Sequence, residues 1–337
     1  GRTAVLALNL AKLRIARIRP QDAYEPAKLA FDIATANSSA GVDPLIARLV
    51  LGQSELSVAH EAEGHDRLLA ALPEAAQRPE AQQDAYQAAV ALGHWMLMRS
   101  NYADAATAWG FAAQYAPSLG DNHQIPKAEA QVNQGMALIN DAAENHDRRP
   151  EYEHAAAVLA EPIRDLAPLA NQAETEGLTV SQGTYARARA WRSLMNARMA
   201  SLQRLNVQTP GAQTQTQDDD PWADPPPQCR LSVHIPELRQ PDRVTSIGAV
   251  MVRVLLQHGQ VQRLDVAASV PMGSWFEQEI RRTSPQWSVT VNPASQEACN
   301  DEGCARRGHV PRTVHRLLHR VDQPHLDRGA AVRSGPS

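Results

Sequence analysis

Residues 86–119 hold a tryptophan between two alanines at helical spacing: Ala105, Trp109 and Ala112 fall at i, i+4 and i+7, on one face of a helix. A stripe with small residues either side of a large ring accepts a second helix at close range. The preceding segment carries Leu92-Gly93. Pro117 cannot continue the helix and turns the chain. Two helices packed this way still leave apolar surface open, so such a pair must stack on others like it.

The same spacing recurs. Tyr24, Ala27, Phe31 and Ala34 repeat the positions of Tyr102, Ala105, Trp109 and Ala112. Residues 125–140, with Gly135, form a further first helix, and Tyr152 and Ala155 open its partner after a charged insertion from Asp141 to Pro150. Residues 181–205 give a last helix that can cap the stack. Turn signals at Arg19-Pro20, Gly41-Val42-Asp43-Pro44, Pro117-Ser118-Leu119-Gly120 and Arg149-Pro150 separate the runs. Alanine is abundant here and has the highest helix propensity.

The window 86–119, with Leu92, Gly93, Tyr102, Ala105, Trp109, Ala112 and Pro117, resembles a repeat of the tetratricopeptide (TPR) family. It departs from the family pattern at Ala89 and Met96. The resemblance implies an α-solenoid over residues 1–206 whose first helices line a concave, partner-holding face. On that pattern Gln87, Val90 and His94 are the candidate groove residues for a protein or peptide ligand. Leu97 and Met98 are assigned to the core between repeats.

Residues 207–228 are rich in Gln, Thr, Asp and Pro, with almost no apolar period, and read as a linker stiffened by Pro225-Pro226-Pro227. Beyond it, residues 247–257 are β-branched and apolar, His258-Gly259 reads as a turn, and Val261, Leu264 and Val266 continue as a second strand. Residues 273–283 read as a short amphipathic helix, and Trp287, Val289 and Val291 alternate as in a strand. The fold class is therefore mainly α, a helical solenoid followed by a small α+β (β-β-α-β) unit at 229–298. Residues 299–337 are rich in Arg and His, show no clear period, and are expected to be disordered.

The segment Ile247 to Val291 resembles the C-terminal domain of TonB-like energy transducers, through His258-Gly259-Gln260-Val261, the short helix and Trp287. Trp275-Phe276-Glu277 departs from that pattern. The resemblance implies pairing by strand addition with an envelope protein, and a place in the bacterial periplasm or cell envelope. The alternative is a cytoplasmic adaptor or regulator whose C-terminal unit packs on the solenoid.

Other chemistry is sparse. The net charge is −4, which gives no overall case for binding nucleic acid. His60 and His65 are five positions apart, roughly 140° around a helix, and do not converge on one metal. Cys299, Cys304, His315 and His319 have near zinc-finger spacing but lack the apolar residues that pack such a finger. Cys229 and Cys299 flank the α+β unit and can either pair or remain thiols. There is no phosphate loop and no nucleophile elbow. No run reaches the roughly 20 apolar residues that span a bilayer, so membrane association is expected only through a segment preceding Gly1. The expectation is a binding protein with no catalytic residues, metal or cofactor.

Overall fold

The structure, a computed structural model, describes residues 1–37, 41–145, 149–170, 179–207, 231–234, 248–257, 260–270, 275–291 and 312–320. The fold is mainly α, with two small antiparallel sheets. Helices α1 (Arg2–Ala16), α2 (Tyr24–Ala36), α3 (Pro44–Glu55), α4 (Glu61–Ala75), α5 (Gln82–Met98), α6 (Tyr102–Tyr115), α7 (Gln124–Glu144), α8 (Arg149–Ala170) and α9 (Val180–Val207) follow in turn. Each packs on the next, and α1 also touches α3, α3 touches α5, and α7 touches α9.

The turn signals fall at the joints between helices. Pro20 opens a 3-10 turn, Pro20–Ala23, before α2. Gly41 takes a φ of 71°, and Pro44 opens α3 behind Asp43, whose carboxylate accepts the Leu45 N–H at 2.7 Å. Pro117 lies in a 3-10 segment, Ala116–Asn122, that ends α6. Asn101 caps α6 through the Asp104 N–H. The charged insertion expected at Asp141 to Pro150 is mostly helical: α7 runs on through Glu144 and α8 starts at Arg149.

Three glycines explain how closely the helices pair. A Cβ on Gly93 in α5 would stand 2.7 Å from the Trp109 ring in α6. A Cβ on Gly135 in α7 would stand 2.6 Å from Leu159 in α8, and one on Gly52 in α3 would stand 2.7 Å from Leu68 in α4. In each pair the large residue of the second helix fills the space the glycine leaves. Around these contacts Leu92, Ala105 and Ala112 are fully buried, and Trp109 is 2% exposed. The α3–α4 pair has no aromatic in its second helix and no tyrosine at its start, so its sequence gave no expectation of it.

Polar groups tie the pairs together. Arg67 reaches back from α4 with two bonds, of 2.7 and 3.0 Å, to the buried carboxylate of Glu55, while its guanidinium lies 5.1 Å from the Phe31 ring centre. Tyr115, wholly buried, donates its hydroxyl to the Leu72 carbonyl at 2.6 Å, linking α6 to α4; burial raises its pKa. Lys127 and Gln131 of α7 both bond the Glu161 carboxylate of α8, and the Lys127 bond in particular holds the Glu161 pKa below its ordinary value.

The strands are β1 (Leu231–His234), β2 (Gly248–Gln257), β3 (Gln260–Val270), β4 (Ser288–Val291) and β5 (Arg312–Arg320), with α10 (Trp275–Thr283) between β3 and β4. All pairings are antiparallel: β3 and β5 flank β2, and β1 pairs with β4. Strand β5 differs from the disordered tail expected at 299–337: Val314 stands opposite Val254, and Leu318 opposite Val250. Its arginines and histidines mask a strand whose apolar residues stand in register with those of β2. Val207, expected to open the 207–228 linker, ends α9; residues 208–228, the His258-Gly259 turn, Cys229, Cys299 and Cys304 lie outside the described residues. Trp287 donates its indole N–H to the Thr283 hydroxyl at 3.2 Å, joining the end of α10 to the start of β4.

The three-stranded sheet rests on α9. Trp191, Leu194 and Met195 share one apolar core with Ala249 and Met251 of β2 and Ala268 and Val270 of β3. That core continues through the helices to Leu45 and Leu49 of α3. A second cluster, at the other end, holds Ala4, Ala7, Leu8 and Ala11 of α1 with Ala27, Ala30 and Ala34 of α2 and Val50 and Leu51 of α3.

Candidate partner-binding face

Gln87, Val90 and His94 lie on one face of α5, at i, i+3 and i+7. Gln87 and His94 are exposed, and Val90 is half-buried against the core. The His94 ring meets Trp109 with centroids 4.8 Å apart and planes 86° apart, an edge-to-face arrangement. The tryptophan that fills the space beside Gly93 thus also seats the histidine. Desolvation lowers the His94 pKa, and Glu129 partly opposes this. Desolvation, then Glu129, raises the pKa of Tyr86.

Glu129 comes from α7 and acts electrostatically on both Tyr86 and His94 of α5. On its far side Glu129 meets Arg187 and Thr184 of α9, each at 3.5 Å. At the start of α5, Asp84 pairs with Lys12 of α1, at 2.7 Å. Formal charges on this face are therefore paired at both ends. Tyr86, Gln87, Val90 and His94 form a stretch of α5 without formal charge, carrying hydroxyl, amide, aliphatic and imidazole groups. Such a surface can hydrogen-bond a peptide and cover its apolar side chains. It offers no concentration of positive charge for phosphate.

Tyr86, Glu129 and Arg187 were not among the residues expected from the sequence. A usable signal existed for one of them. Glu129 stands six positions before Gly135, as Gln87 stands six before Gly93. Carrying the register from one glycine to the next reaches it.

Met98, expected in the core, is 75% exposed at the end of α5, while Leu97 is half-buried. Met98 is the last residue of α5, and its side chain meets solvent. His60 stacks on Tyr24 with ring centres 5.1 Å apart, and His65 bonds Asp66 at 2.8 Å beside Trp95. Among the described residues no group of three or more His, Cys, Asp or Glu could hold a metal ion. Likewise among those residues, no helix is long and apolar enough to cross a membrane.

No protein-family model, curated protein or solved structure matches this chain.

Proposed function

We propose that the chain is a non-enzymatic scaffold of the TPR-like solenoid kind, which holds a protein or peptide along the face formed by α5, α7 and α9. The observation that carries this reading is the repeated glycine contact. Gly52, Gly93 and Gly135 recur at spacings of 41 and 42 residues, each against a large residue of the following helix. A stack built from such pairs keeps its first helices on one side. Gln87, Val90 and His94 are the proposed contacts on that side, joined by Tyr86 and Glu129. The uncharged stretch of α5 favours a partner recognised by shape and hydrogen bonds.

The test uses a photo-crosslinking residue placed at Gln87, with Thr107, exposed on α6, as control. A defined partner captured from position 87 and not from 107 supports the reading. Equal capture from both, or none from 87 in the native cell extract, defeats it.

For the C-terminal unit, the shared core of α9, β2 and β3 favours the adaptor reading, in which the unit packs on the helices. The TonB-like transducer reading calls instead for a sheet free to add a strand from an envelope protein, with a periplasmic or envelope location. A Cys229–Cys299 disulfide in protein isolated under non-reducing conditions would favour that location, and free thiols the cytoplasm.

A further inference from the structure

The carboxylate of Glu129 is held from one side only. Its two contacts in α9, the Thr184 hydroxyl and the Arg187 guanidinium, reach the same oxygen, Oε1, each at 3.5 Å. Among the described residues, no hydrogen bond or ion pair reaches Oε2. Other carboxylates of the stack are gripped more tightly: Arg67 meets Glu55 at 2.7 Å, Lys127 meets Glu161 at 2.6 Å and Lys12 meets Asp84 at 2.7 Å. A fully formed charged pair closes to about 2.8 Å. The pair of Glu129 with Arg187 has not closed.

Its charge therefore reaches across to α5. Desolvation and then Glu129 raise the pKa of Tyr86, and at His94 Glu129 opposes the lowering that desolvation causes. Arg187 leaves that negative field standing on the α5 side. Tyr86 is half-buried, His94 is exposed, and the Glu129 side chain is 42% exposed. A free carboxylate oxygen on a partly dried surface, with a tyrosine on the facing helix, complements a cation. A carboxylate or phosphate would be repelled there.

Register supplies an apolar neighbour. Met136 follows Gly135 as His94 follows Gly93. Met136 and Val90 are both half-buried against the same core. Met136 stands seven residues beyond Glu129 on one face of α7, about 10 Å along the axis. An extended chain covers that distance in about three residues.

We propose that the segment held on this face is an extended peptide with a lysine or arginine whose cation binds Oε2 of Glu129, and with an apolar side chain about three residues away that covers Met136 and Val90. Arg187 and Thr184 then steady Oε1 from behind. This specificity rests on the partner-holding role of the face and adds the charge of what is held.

The experiment selects short random peptides, displayed on phage, against the full chain. Peptides are kept that crosslink to a photo-reactive residue placed at Gln87 and not to one at Thr107, so that they lie on the face. These should be enriched in lysine or arginine with an apolar residue about three positions away. Glu129→Gln should lower their affinity about tenfold, the scale of one charge-assisted hydrogen bond, and should flatten its dependence on salt. The melting temperature should stay the same, because a loose, part-exposed pair contributes little. Glu144→Gln, exposed at the end of the same helix, should leave binding unchanged; an equal loss there would mean attraction to net charge and overturns the site. Peptides that crosslink at position 87 without an excess of basic residues, or that bind Glu129→Gln as tightly as the parent, overturn the inference and leave the scaffold reading standing. No enriched peptide, or none that crosslinks at position 87, defeats that reading and the inference with it.

Discussion

The α1–α2 and α5–α6 pairs share one signature in the second helix yet are packed differently. Tyr24, Ala27, Phe31 and Ala34 match Tyr102, Ala105, Trp109 and Ala112 position for position. Trp109 is buried to 2% exposure against Gly93, whereas Phe31 stays half-buried beneath the Arg67 guanidinium. Helix α1 contains no glycine to admit the phenyl ring. The comparison teaches that the second helix sets where its large residue points, while the first helix sets how closely that residue can approach. A motif search on second helices alone would rate the two pairs alike.

Substitutions can break or sharpen this contrast. The largest difference is expected between Trp109→Ala and Phe31→Ala in urea unfolding. The first should cost about 3–5 kcal/mol, because a full indole is removed from a closed site. The second should cost clearly less, and equal losses would mean that the two contacts are equivalent. Arg67→Met should cost about 3 kcal/mol in the same assay, since it leaves the Glu55 carboxylate buried without its cation. Ala105→Arg should cost ~2 kcal/mol or more by forcing a charge into a close helix contact.

A smaller effect isolates the glycine itself. Gly93→Ala gains about 1 kcal/mol of helix propensity but drives a methyl into a rigid ring, a clash of about 1–3 kcal/mol. The net effect should be destabilising by thermal melting. Gly183→Ala in α9, where a Cβ meets nothing within 4 Å, should raise the melting temperature instead. If both variants move the same way, close helix approach is not the reason for Gly93.

The smallest effect is a pH dependence. Partial desolvation of the ring beside Trp109 lowers the His94 pKa in the folded state, so the unfolded chain takes up the proton first as pH falls. The stability tied to neutral His94 is present above the ordinary histidine pKa and is lost as pH drops through the folded value. Replacing His94 with Gln should flatten that part of the stability curve, measured from pH 7.5 down to 5; an unaltered slope would place the titration elsewhere.

How much of this was legible in the sequence follows from local physics. The α5–α6 and α7–α8 pairs could be read because tyrosine, alanine and glycine stand at fixed offsets. The α3–α4 pair was missed because Leu68 is an ordinary helical residue until Gly52 is seen beneath it. The strands at 248–257 and 260–270 were visible through β-branched runs. Strand β5 was hidden, since RTVHRLLHR acquires meaning only once β2 lies beside it. At the candidate face, Gln87, Val90 and His94 were named from the resemblance to the TPR pattern, while Tyr86 and Arg187 depended on how three helices come together.

The apolar core that runs from α3 through α9 into the sheet also gives the molecule a polarity of melting. One end of this core is closed by β2 and β3, while α1 and α2 pack in a separate, alanine-rich cluster. Small side chains bury little apolar area, so that cluster opens at lower cost than the large one. Backbone amides of α1 and α2 should therefore exchange with deuterium ahead of those in α5 to α7.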